Sequence, residues 1–223
     1  MPDIAKNLSN ILKTIPAGVG LVAVSKFHTA DEIRQAYDCG QRTFGESRVQ
    51  ELLAKQPELP ADIVWHFIGH LQTNKVRSLI GRVAMIESVD SERLLRLISD
   101  ESARAGVTTR VLMQLHVAAE ETKFGMSPDE MLDFFRSGRY ADFPAVEFCG
   151  VMGMATNTDD EARVRADFRT IRATFDAIRG DAALRLHAFT TVSMGMSDDY
   201  LQAIDCGSTL VRIGTDIFGP RQY

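Results

Sequence analysis

The chain of 223 residues lacks the features that would tie it to a membrane, a secretory route or a nucleic acid. No apolar run approaches the roughly 18–20 residues needed to cross a bilayer. Asp and Lys punctuate the opening "MPDIAKNLSNILKTIP", which excludes a secretory leader. There are three cysteines, Cys39, Cys149 and Cys206, an odd number without metal-like spacing. They read as reduced thiols and predict a cytoplasmic protein. No block of Lys and Arg stands out, and the formal charge is −5, so neither a nucleic-acid nor an anionic-membrane partner is expected. No low-complexity linker interrupts the chain, so residues 1–223 are expected to form a single, monomeric domain.

What is present is alternation. Ile4, Leu8, Ile11 and Leu12 mark an opening amphipathic helix that stops near Pro16 and Gly18. Strand patterns follow at 20–25, 42–45, 63–68, 84–89, 110–117, 146–152, 184–189 and 209–213, with helical patterns between them. Thr29 and Glu32 form a capping box, and Asp159 or Asp160 caps the long helix "DDEARVRADFRTIRATFDAIRG". Eight βα units predict an α/β fold closed as a (β/α)8 TIM barrel preceded by an N-terminal helix. A doubly wound open sheet is the competing architecture, but no GxGxxG fingerprint follows the first strand. One internal echo supports a repeating unit: "AYDCG" at 36–40 and "AIDCG" at 203–207 each read as a helix end closing on a left-handed glycine.

Barrels bind ligands at the carboxyl ends of their strands. That rule draws attention to Lys26, which follows the apolar run Leu21–Val22–Ala23–Val24 almost at once. Three readings are open to it: a snorkelling or ion-paired lysine, a point charge for an anion, or an amine that forms an imine. The loops after the last two strands narrow the choice. "TTVSMGMSDD" holds Ser193, Gly195 and Ser197; "VRIGTDIFG" holds Arg212, Gly214 and Thr215. Small residues let backbone N–H groups approach a phosphate, and barrels commonly place a phosphate after strands seven and eight. His66 and His70 are four apart in "WHFIGH", but the segment reads as a strand entering a loop, without a third ligand or an HExxH glutamate. They are taken as structural or pocket-lining residues, and no metal is expected.

The blocks "VAVSK", "FGESRVQE", "WHFIGHLQTNK", "ESVDS", "TKFGM", "GVMGMAT", "SMGMSDD" and "VRIGTDIFG", in that order, resemble the pyridoxal phosphate homeostasis protein family. These proteins are single-domain relatives of the alanine racemase N-terminal barrel, and the resemblance runs from about Leu21 to Tyr223. It implies that Lys26 carries pyridoxal 5′-phosphate as a Schiff base, with Ser193, Gly214 and Thr215 on the phosphate and Gly195 shaping the loop. It also implies that Arg212 faces the pyridine nitrogen and keeps it unprotonated, which makes the ring a weaker electron sink. The expected function is vitamin B6 homeostasis, by sequestering the cofactor or delivering it to apoenzymes, without turnover. A pyridoxal phosphate-dependent amino-acid racemase is the alternative. Racemisation needs a second base, a tyrosine from a second domain in true racemases, and the sequence given stops at Tyr223 after the eighth unit. Four positions depart from the family pattern: Ser47–Arg48 replace Asn-Tyr, Thr73 replaces Ser, and His116 replaces Asn.

Overall fold

The computed structural model describes residues 2–120 and 124–220. Thr122 and Lys123 of the "TKFGM" block, and Tyr223, lie outside the described residues. Helix α1 (Ile4–Thr14) is capped by Asp3, whose carboxylate accepts the Lys6 N–H, and it buries Ile4, Leu8 and Ile11. The barrel strands are β1 (Gly20–Val24), β2 (Thr43–Glu46), β3 (Val64–Phe67), β4 (Met85–Val89), β5 (Thr109–Leu115), β6 (Val146–Gly153), β7 (Thr191–Ser193) and β8 (Leu210–Ile213). They pair in sequence order, all in parallel, and β1 closes on β8 through Val22 beside Arg212. The predicted closed eight-stranded barrel with its N-terminal helix is the observed fold.

The connecting helices are α2 (Ala30–Asp38), α3 (Val49–Lys55), α4 (Val76–Leu79), α5 (Glu92–Ala105), α6 (Pro128–Arg136), α7 (Glu161–Arg179), α8 (Tyr200–Asp205) and α9 (Thr215–Phe218). Local signals decide where they begin and end. Thr29 and Glu32 form the expected capping box on α2, and Asp160 is the cap of α7. The two Asp-Cys-Gly echoes share one geometry: Cys39 and Cys206 end α2 and α8, and Gly40 (φ 98°) and Gly207 (φ 91°) take left-handed conformations. Side chains alternate across each strand. Phe44, Trp65, Ile86, Val111, Val151 and Ile213 pack outward against the helices in the main core, while Met85, Leu112, Cys149 and Met152 form a smaller, separate cluster.

The seventh strand is the one expectation the fold corrects. Residues 184–189 are irregular, held by turns such as Phe189 N–H to the Leu186 carbonyl, and the strand is Thr191–Ser193. The alternation in "LRLHAF" is real but has another cause. Leu184 and Leu186 lean on the outer core, Ala188 reaches the smaller cluster, and Phe189 stacks on Phe175 at 5.2 Å. Those residues bury themselves in turn without pairing with a strand. Three residues, by contrast, are too few to show a period.

Candidate functional site

One cleft at the carboxyl end of the barrel brings together Lys26, Arg212, Gly214 and Thr215. Val24, Ile68, Met154 and Met196 form its apolar walls, and His28 and Ser197 complete it. Lys26 follows β1, so the strand's alternation sends it to the same side as Val22 and Val24. His28 is held by stacking on Phe218 at 4.8 Å and by Glu32, 3.5 Å from its Nδ1. Gly214 caps α9, whose Ile217 and Phe218 N–H groups both donate to the Gly214 carbonyl. The N–H groups of the residues before them are those a helix leaves for another acceptor.

Ser193 and Gly195 sit elsewhere. Ser193 lies on β7, fully buried, below the cleft. Its hydroxyl donates to Glu87 Oε2 at 2.6 Å and accepts from Arg212 Nη1 at 2.6 Å. Arg212 also donates through Nη2 to the Gly153 carbonyl at 3.1 Å. Glu87 completes the network on the other side, where His66 Nδ1 stands 2.6 Å from its Oε1. The carboxylate needs a donor there, so Nδ1 carries the proton. Burial alone would push the Glu87 carboxyl up, but the His66 hydrogen bond and charge, Arg212 and Ser193 outweigh burial and hold it below the usual carboxylate range. Burial pulls the Arg212 guanidinium down, against the carboxylates of Glu87 and Asp199. Gly195 (φ 97°) shapes the loop from beneath: a Cβ there would stand 2.6 Å from Ala203 Cβ, and its carbonyl accepts the Arg212 N–H.

The cleft fits a small anionic heterocycle carrying a carbonyl. A Cβ on Gly214 would come within 3.0 Å of the Val24 carbonyl oxygen and 3.2 Å of Val24 Cβ, tight enough that β1 would have to give way to admit it. Thr215 and Ser197 offer hydroxyl donors beside it, Lys26 offers an amine, and Arg212 has N–H groups beyond the two bonds described. Hydroxyl donors, a guanidinium and a primary amine thus share one cavity.

No role was legible in the sequence for Glu87, although it lies in a segment that the strand-end rule marks; Ser197, named with the loop after the seventh strand, does line the cleft. The signal for Glu87 was a carboxylate placed inside a β-strand between Ile86 and Ser88, where an unpaired charge is costly. His66 is a structural histidine of the barrel interior, as expected, and His70 stands apart from it, paired with Asp90 at 3.0 Å and stacked on Phe124 at 3.9 Å.

Comparison with known proteins adds to this geometry. The family model "Alanine racemase, N-terminal domain" matches residues 1–222. The pyridoxal phosphate homeostasis protein of Aquifex aeolicus is 38% identical over 204 residues, covering 91% of this chain and 87% of that one. The chain belongs to the pyridoxal phosphate homeostasis protein family. Among solved structures, PipY of Synechococcus elongatus without PLP is 34% identical, with a TM-score of 0.91 over 97% of this chain and 100% of that one. The structure of PipY with PLP bound matches over the same shares with a TM-score of 0.86. The alanine racemase of Corynebacterium glutamicum, 17% identical with a TM-score of 0.78, covers 97% of this chain and 61% of its own, and shares the fold alone. Among the described residues of this family member, no helix is long and apolar enough to cross a membrane.

Proposed function

We propose that this protein binds pyridoxal 5′-phosphate as a Schiff base on Lys26 and serves vitamin B6 homeostasis, holding the cofactor or delivering it to apoenzymes without substrate turnover. The observation that carries this reading is the convergence of Lys26, Arg212, Gly214 and Thr215 on one cleft. The PLP-bound structure of its relative PipY supports it.

Each residue has a task in this reading. Thr215, Gly214 and the backbone at the start of α9 receive the phosphate, with Ser197 beside them. Ser193 acts from behind, where its hydroxyl fixes Arg212. The bound cofactor supplies an aldehyde for the amine and a ring that withdraws electrons only as strongly as its nitrogen is protonated. Arg212, a donor that holds its proton, keeps that nitrogen in its basic form, and Glu87 balances the charge of Arg212 inside the barrel. The arrangement favours retention over carbanion chemistry.

Incubating loaded protein with L- and D-alanine in deuterated water tests the absence of turnover. The reading expects stoichiometric cofactor to persist with no sustained α-proton exchange. Catalytic exchange over many equivalents would move the protein to the racemase alternative.

A further inference from the structure

The motif "FGESRVQE" carries two glutamates to which the cleft gives no role. Glu46 ends β2, and its side chain is fully buried behind the sheet. Lys55, at the end of α3, is nearly as buried and lies four residues after Glu51. Lys55 Nζ donates to Glu46 Oε1 at 2.8 Å, to Glu51 Oε1 at 2.7 Å and to the Ser25 carbonyl at 2.9 Å. The Ser25 hydroxyl donates to Glu46 Oε1 at 2.7 Å. Glu51 Oε1 accepts a second time, from the Phe27 N–H.

These bonds converge on the two residues that flank Lys26. Ser25 is held by its carbonyl and its hydroxyl, and Phe27 by its amide. Phe27 is also the one non-glycine among the described residues with a positive φ, at 68°. That conformation strains a residue with a Cβ and persists only when its surroundings enforce it. The Arg48 guanidinium over the Phe27 ring, 4.5 Å from its centroid, adds to the restraint. Keeping a buried ammonium between two carboxylates is costly unless every donor is used, and here Lys55 spends all three N–H bonds on this cluster. Burial pushes the Glu46 carboxyl up while Lys55 draws it back.

We infer that Glu51 and Lys55 are positioning residues for Lys26, clamping Ser25 and Phe27 so that the amine leaves β1 aimed into the cleft. The inference rests on the Schiff-base reading of Lys26. Preorganisation of this kind acts on the rate and equilibrium of bond formation at the amine without touching the ligand. Glu51 Oε1 receives both the Phe27 N–H and Lys55 Nζ, so the carbonyl oxygen of a glutamine can do the same, whereas alanine can do neither.

The test uses full-length protein as wild type, Glu51→Gln, Glu51→Ala and Lys55→Met, with Lys26→Ala as the control. Hydrogen exchange at the Phe27 amide is measured without cofactor. The rate of growth of the visible imine band is measured after adding pyridoxal phosphate, with borohydride trapping and peptide mass spectrometry to locate the bond. The expected result is that Glu51→Ala exposes the Phe27 amide and slows bond formation at least tenfold, while Glu51→Gln stays within threefold of wild type on both. Lys55→Met, if it folds, should follow the alanine variant. Equal impairment of Glu51→Gln and Glu51→Ala, or a wild-type rate in Glu51→Ala, would overturn the inference. If Lys26→Ala keeps the band and borohydride marks another lysine, the Schiff-base reading itself has failed, and the inference with it.

Discussion

Arg212 Nη1 stands 4.0 Å from Glu87 Oε2, with the Ser193 hydroxyl hydrogen-bonded to both. Two opposite charges on β8 and β4 are therefore joined across the barrel interior by a residue of β7. Neither charge is solvated: Arg212 is 4% exposed and Glu87 not at all. Such a pair is tolerated because both Glu87 oxygens are hydrogen-bonded and Arg212 is tied to Ser193 and Gly153, and it becomes a liability when one partner is lost. His66 Nδ1 satisfies the remaining carboxylate oxygen, so the network ends on an imidazole.

Removing the charge of Glu87 while keeping its shape should therefore destabilise the barrel. Glu87→Gln is expected to cost about 3 kcal/mol at pH 7, measured by urea unfolding. The pH dependence has a definite sign. The folded-state pKa of Glu87 is depressed, so its contribution is present above the unfolded carboxylate value and is lost as pH falls through the folded one. The Glu87 contribution to the gap between wild type and variant should begin to narrow as pH falls below roughly 4.5. A gap that widens on acidification would contradict this account.

Gly195 carries a second structural prediction. At φ 97°, with Ala203 Cβ 2.6 Å and Tyr200 Cα 2.9 Å from where a Cβ would stand, Gly195→Ala combines backbone strain with overlap. A loss of roughly 2–4 kcal/mol is expected. Because the Gly195 carbonyl accepts the Arg212 N–H, the lower melting temperature should come with weaker cofactor retention.

Much of this fold was legible because it rests on local signals. The Thr29–Glu32 box, the Asp160 cap and the paired Asp-Cys-Gly turns each involve residues within a few positions of one another, and each places a helix end. Seven strands show as apolar runs long enough to have a period. The remaining one, β7 (Thr191–Ser193), does not, and its neighbour "LRLHAF" imitates one. Lys26, Arg212, Gly214 and Thr215 were legible as strand-end residues, and the structure gathers them in one cleft. The partnership of Ser193 with Glu87, 106 residues apart, was not, because only barrel closure makes those side chains meet. For the same reason the bond from the Phe27 amide to Glu51, 24 residues away, is invisible before folding.

The phosphate end of the cleft is tested at Thr215. Thr215→Val preserves shape and removes one hydroxyl donor. Losing a hydrogen bond to a charged group should weaken pyridoxal 5′-phosphate binding by about tenfold or more. Binding of pyridoxal, which lacks the phosphate, should not change. Equal losses for both ligands, by equilibrium dialysis, would place the phosphate elsewhere.

In the proposed function, Lys26 is the residue that bonds the cofactor. The direct measurement is the visible absorbance of wild-type and Lys26→Ala protein loaded with pyridoxal 5′-phosphate, followed by borohydride reduction and peptide mass spectrometry. The expected result is a yellow wild-type protein whose band disappears on reduction, with the pyridoxyl mass fixed on Lys26, and a Lys26→Ala variant without the band. An unchanged band in Lys26→Ala, or a pyridoxyl group on any other lysine, would contradict it.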